Sequence, residues 1–237
     1  MAGFSIQIGN SILPLPATAP IPAATTATDF TSVAVVAHPG RRAMAERLAD
    51  RVTAQHIAWD KAGNGGTANH LTAWAWLAEH TPPNTWAVVL EDDAVPVPGF
   101  RHQVAAALAT APTPVVSLYL GRAWPRYIQP RIPNAIARAT TTDAHWITAR
   151  RLHHAVGVAI HHDHIHDMLN RVDPGQPIDE TIGTWAAHRG LPVAYSWPSL
   201  VDHADLTSLI SRDRTGQRRR AWRIGTRNPW TAKAVPL

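Results

Sequence analysis

The run Glu91-Asp92-Asp93 has the most specific chemistry in the chain, because three carboxylates follow directly on the apolar stretch Trp86-Ala-Val-Val-Leu. Adjacent negative charges repel unless a cation stands among them. A hard divalent ion carrying a bound diphosphate is the natural partner for such oxygens; a solvated acidic turn or helix cap is the plainer use of the same triplet. The chain has no cysteine and 14 histidines. Disulfides, thiolate metal sites and cysteine nucleophiles are therefore excluded, leaving carboxylates and imidazoles as metal ligands. His161, His162, His164 and His166 cluster, with His162 and His166 on one helical face, but the Glu of a His-Glu-x-x-His zinc site does not stand between them. The cluster reads as a partly exposed helix start, and His153 and His154 read as surface residues. With no Walker A sequence and no Gly-x-Gly-x-x-Gly, the sequence makes no case for an ATPase or a classical dinucleotide enzyme.

Gly65-Gly66-Thr67-Ala68-Asn69-His70 followed by Trp74, and then Val89-Leu90-Glu91-Asp92-Asp93-Ala94, resemble the Gly-Cys-x-x-Ser-His-x-x-x-Trp and Leu-Glu-Asp-Asp-Ala signatures of glycosyltransferase family 25, the lipopolysaccharide-biosynthesis and collagen galactosyltransferase group. Val35 to Arg42 sits where that family has a strand and an Arg-Arg loop. Pro177-Ile178-Asp179 is similar to its Pro-x-Asp element, and Pro198 to His203 with Ser208 to its closing Pro-x-Leu-Val-x-His stretch. The likeness spans roughly residues 32–210. Departures are Gly66 or Thr67 in place of Cys, Asn69 in place of Ser, and His38-Pro39-Gly40 where the family has an Asn and an acidic residue.

The resemblance implies a GT-A-like, Rossmann-like α/β fold and transfer from a UDP- or GDP-sugar held by Mn²⁺ or Mg²⁺. It assigns Asp93 as principal metal ligand, His203 as a closing ligand, and Glu91 and Asp92 as donor or secondary metal contacts. Arg41 and Arg42 are suited to forked contacts with phosphate, and His70 to the donor or, equally, to a buried core position. Inverting transfer also needs a base for the acceptor hydroxyl. Asp179, or its neighbour Glu180, serves as that base or as a simple helix cap.

The elements that must position these residues follow from periodicity. Apolar runs at 32–37, 86–90, 115–120 and 155–160 read as strands. Met44, Leu48 and Val52, then Leu71 to Leu77, then Phe100, Val104 and Leu108, then Ile165 to Val172 recur at helical spacing. Such alternation predicts a mostly parallel sheet with helices on both faces, whose ligands bind beyond the carboxyl ends of strands. Residues 1–30 carry four of the 20 prolines and read as an extended arm, with a short strand at Phe4, Ile6 and Ile8. The resemblance makes residues 31–210 the transferase domain, while 121–142 read as a long irregular loop and 211–237 as a basic arm.

Charge is the remaining signal. The net +5 divides unevenly: residues 211–237 hold seven Arg and one Lys against Asp213, a net +7, while residues 1–210 hold 14 basic and 16 acidic side chains, a net −2. Arg218, Arg219, Arg220 and Trp222 could thus contact a polyanionic acceptor, or the segment is a solvated arm. Trp124, Trp197 and Trp230 are further candidates for stacking. The acceptor is a glycan or protein, or a modified base of DNA. No stretch has the length and apolarity of a membrane span, and the expected setting is the cytoplasm of a bacterial or phage-infected cell. The competing functions are a non-catalytic metal- and nucleic-acid-binding module and a metal-dependent phosphohydrolase.

Overall fold

The computed structural model describes residues 31–204 and 219–237; the arm at 1–30, with its strand at Phe4 to Ile8, and Ser208 and Arg218 lie outside them. In chain order the elements are β1 (Ser32–Ala37), α1 (Arg42–Val52), β2 (His56–Trp59), α2 (Gly66–His80), β3 (Trp86–Glu91), β4 (Ala94–Pro96), α3 (Phe100–Leu108), β5 (Val115–Ser117), α4 (Ile132–Thr142), β6 (Trp146–Ala149), β7 (Gly157–His161), α5 (Ile165–Leu169), α6 (Ile178–His188), β8 (Val193–Ser196), β9 (Val201–His203) and β10 (Ala234–Pro236). Eight strands form one sheet in the order β10-β6-β8-β5-β7-β3-β1-β2, and β4 and β9 form a separate ribbon. β1 lies parallel between β2 and β3, and β5–β8 and β6–β10 are also parallel. β7 runs antiparallel to both β3 and β5, and β6 to β8.

The strands are apolar without alternation because both faces of the sheet are covered. In β1, Ala34 and Val36 face α2 and belong to the layer that continues through α4, α5 and α6, with Trp74, Leu77, Ile132 and Met168 in it. Val33 and Val35 face α1 and α3, with Leu48, Val52, Phe100 and Val104. The expected α/β arrangement with helices on both faces is therefore present. No helix among the described residues is long and apolar enough to cross a membrane.

Two expectations need correction. Residues 121–142 are not all loop: a short 3-10 turn at Gln129–Arg131 leads into α4. Pro133 sits in the first turn of that helix, where a missing N–H costs nothing, and Ile132, Ala135 and Ala139 bury one face. The basic segment is also not a detached arm in its described part. Residues 219–237 return to the fold, and β10 forms the sheet edge by pairing with β6, where Arg138 and Arg131 donate to the Pro236 and Leu237 carbonyls.

Candidate metal centre and the two clefts beside it

Glu91 is the last residue of β3, and Asp92 and Asp93 form the turn into β4. The antiparallel ribbon pairs Ala94 with His203, and the Ala204 amide donates to the Asp93 carbonyl. A residue far along the chain is thereby set beside the acidic turn. Ligand atoms of Glu91, Asp93 and His203 all lie within 4.8 Å of one another, with His203 Nε2 3.6 Å from Asp93 Oδ2.

Arg41 is the cation that this run of carboxylates requires. Its Nη1 donates to Asp92 Oδ1 at 2.8 Å and to Asp93 Oδ2 at 2.7 Å, while the His38 amide donates to Asp92 Oδ2 at 2.9 Å. Asp92 is therefore fully engaged. Asp93 is not: its Oδ1 is buried and has no hydrogen-bond partner. An orphaned buried carboxylate oxygen is costly unless a proton or an ion completes it. Burial, together with the charge of Glu91, accordingly raises the Asp93 carboxyl above its ordinary range. Glu91 moves the other way. Its surroundings alone would raise it, but the hydrogen bond and charge of His70, with His203 and Arg219 beyond, hold it below its usual value. His70 Nε2 lies 3.5 Å from Glu91 Oε1. Two carboxylate oxygens and an imidazole nitrogen, one oxygen unpartnered, suit a divalent cation.

Two cavities meet at this wall. The smaller, about 180 Å³, lies over the ends of β1 and β3 and is lined by His38, Arg41, Asp60, Asn69, Asp92 and Asp93. The larger, about 620 Å³, is lined by Trp124, His153, His154, Gln176 and Asp179 among others. Gly66, His70, Glu91, His203 and Arg219 line both. Asn69 joins the strand ends by donating to the Ala37 and Ala58 carbonyls. The Asp60 carboxylate accepts from the Asn64 and Gly65 amides, holding a turn in which Gly65 sits at φ 90, a conformation open mainly to glycine.

The remaining expected residues fall in distinct places. Asp179 is in the first turn of α6 and half-buried in the larger cleft. Burial, with the charge of Glu91 adding to it, pushes its carboxyl up to about 6. Glu180 is exposed and lines neither cavity. Arg42 also points elsewhere, pairing with Glu46 and lying over the Trp59 ring. Arg219 faces both cavities, whereas Arg220 is tied to Asp202 at 3.0 Å and Trp222 donates to Gln129 and carries Arg122 over its ring. Those two residues hold the returning segment to the domain.

Trp197 and Trp230 are core residues, correcting their reading as stacking candidates, because the segments around Pro198 and Pro229 are packed into the sheet layer. His153 and His154, expected at the surface, line the larger cleft because residues 150–156 pass beneath it into β7. Burial lowers the imidazoles to about 4 and about 3 respectively. Among the described residues, the cluster at 161–166 forms no metal-ligand group. Arg41 was recognisable from its dipeptide but not its role as counter-ion to Asp92 and Asp93. Asn69 stood out only as a departure from the Ser of the motif, and His154 carried no spacing signal.

Compared with known proteins, the chain matches no family model and no curated protein.

Proposed function

We propose that this chain is a metal-dependent glycosyltransferase of GT-A-like build, moving a sugar from a UDP- or GDP-sugar to a hydroxyl acceptor. The observation that carries this reading is the convergence of Glu91, Asp93 and His203, of which Glu91 and His203 stand on the wall common to two cavities and Asp93 faces the smaller one, with the raised carboxyl of Asp179 in the larger cavity. A displacement needs this layout: a leaving group held on one side and a proton acceptor on the other. The imidazole in the ligand set favours Mn²⁺ over Mg²⁺. When bound, the ion offsets the charge that gathers on the departing diphosphate.

The protein's own groups supply the rest. Arg41 holds Asp92 and Asp93 in position while leaving Asp93 Oδ1 open, and Arg219 adds positive charge at the wall. The acceptor oxygen forms the new bond to the anomeric carbon as the bond to the diphosphate breaks. The nucleoside diphosphate takes that electron pair, and the acceptor proton passes to Asp179, whose basicity near neutrality suits the task. The outcome is inversion at the anomeric carbon.

A thermal-shift series of UDP- and GDP-sugars with and without Mn²⁺ tests the reading. One donor at about 100 times its Kd should raise Tm by about 5 °C or more, and only with the ion present. Stabilisation that is independent of Mn²⁺ and survives Asp93→Ala would overturn it. Release of free sugar regardless of any acceptor would mark a phosphohydrolase, and binding without turnover a binding module.

A further inference from the structure

Beyond the larger cleft lies a third concavity of about 740 Å³, lined by Tyr127, Arg131, Arg150, Arg151 and His153 among others, with no Asp or Glu among its described lining residues. His153 lines both the cleft and this groove, and Tyr127 Oη lies 3.3 Å from its Nδ1. The loop 121–131 runs along the same border. Arg122 and Trp124 face the cleft, Tyr127 and Arg131 the groove, and Arg126 lies exposed between them. Its two rings are the most exposed large apolar side chains among the described residues, Trp124 at 60% and Tyr127 at 68%.

This loop is held in place. Gln129 donates to the Gly121 and Trp124 carbonyls and accepts from Trp222, and the Arg122 amide donates to the Arg220 carbonyl. Ala123 is kept at φ 72, a left-handed conformation that a non-glycine residue adopts only where its surroundings impose it. Among the described residues Arg126, Arg150 and Arg151 make no ion pair. Fixed, solvent-facing rings interleaved with unneutralised guanidinium groups make a stacking platform beside a positive track.

We propose that this surface, from the larger cleft across Trp124 and Tyr127 into the groove, binds a single strand of nucleic acid. Its phosphates lie along Arg126, Arg150 and Arg151, its bases stack on the two rings, and one nucleotide turns into the cleft. That last element rests on the transferase reading, since it brings a hydroxyl of the nucleotide to Asp179 as the acceptor. The basic character that the sequence concentrates at 211–237 is then not the main contact: Arg220 and Trp222 are committed within the domain, and the acceptor follows the loop arginines.

Fluorescence anisotropy with a labelled 12-nucleotide DNA strand tests this without donor or metal, so that its failure is distinct from failure of the transferase reading, which the Mn²⁺-dependent donor shift decides. Trp124→Ala and Tyr127→Ala should each weaken binding by roughly five- to a hundredfold, the effect of losing one stacked base. Replacing Arg126, Arg150 and Arg151 by Ala should flatten the log–log salt slope by about 2, at roughly 0.7 per phosphate contact on a single strand. Circular dichroism confirms that these exposed positions leave the fold intact. Unchanged affinity and salt slope in both sets of variants would overturn the proposal. So would tighter binding of the duplex, or capture of heparin through these residues with no binding of the oligonucleotide, which would assign the surface to an anionic glycan.

Discussion

The two cavities that share the Glu91–His203 wall are built from opposite chemistry. The smaller gathers Asp60, Asp92 and Asp93, with the Arg41 guanidinium bonded to the last two. The larger gathers His153, His154, Trp124 and Arg122 around a single added carboxyl, Asp179. Burial acts in one physical direction on both, disfavouring the charged form. It raises Asp93 and Asp179 and lowers His153 and His154. On the acidic side the result is an incomplete carboxylate that gains from a cation. On the other side, burial keeps the His153 and His154 imidazoles neutral at physiological pH, so neither of them lowers the basicity of Asp179.

Asp93→Ala should have the largest effect. It removes the unpartnered oxygen from the ligand group, so the Mn²⁺-dependent thermal shift with donor should disappear and turnover should fall by about a hundredfold or more. Metal-stimulated turnover in that variant would remove the acidic cavity from the reaction. Asp179→Asn should lower kcat by about 10²–10⁴-fold while leaving donor and Mn²⁺ binding in place. In the wild type, kcat/KM should rise with pH through about 6, as Asp179 ionises in the free enzyme. If the asparagine variant keeps the same pH profile and rate, and Glu180→Gln loses activity instead, the base is the exposed neighbour.

Arg41→Ala sharpens the acidic side of the comparison. Without the guanidinium, Asp92 and Asp93 face each other across a site where their side chains are 8% and 9% exposed. Stability measured by urea melts without metal should fall by about 2 kcal/mol, less than the ~3–5 of a fully enclosed pair because Arg41 keeps contact with solvent. Mn²⁺ should then raise Tm more in the variant than in the wild type, since the ion replaces the lost charge. An equal increment in both would mean that the ion binds away from these carboxylates.

Much of this arrangement was legible from the residues. β1, β3 and the helices on either side of the sheet follow from unbroken apolar runs and 3.6-residue spacing, and the acidic turn follows from its place after β3. Less visible was whatever depends on distant pairing. β6 and β8, Trp146-Ile-Thr-Ala and Val193-Ala-Tyr-Ser, mix polar residues into short runs whose burial comes from neighbouring strands. β10 is three residues long and becomes a strand only through its pairing with β6. His203 could be placed near Asp93 by resemblance, but the reason is the register of β4 with β9. The second half of 121–142 is helical although it holds a proline, because Pro133 stands in the first turn of α4, where it breaks nothing. The burial of His153 and His154 is invisible in the residues because no periodic pattern marks a segment that dips under a cleft.

These two histidines give the smallest predicted effect and bear on the other side of the comparison. In the unfolded chain each titrates near the ordinary 6.5, whereas in the folded protein His153 stays neutral to about 4 and His154 to about 3. Between those values the unfolded state binds more protons than the folded one. Stability is therefore greatest above 6.5 and is lost as pH falls, by at most about 1.4 kcal/mol per pH unit for each histidine. His154→Gln keeps a polar side chain but removes the titration, so its urea-melt stability should fall less steeply between pH 6.5 and 4.5 than that of the wild type, by close to one proton in slope. The two stability curves should converge at the acidic end. Parallel curves would show that His154 takes up its proton in the folded cleft, and the larger cavity would then be positively charged at moderately acidic pH instead of neutral.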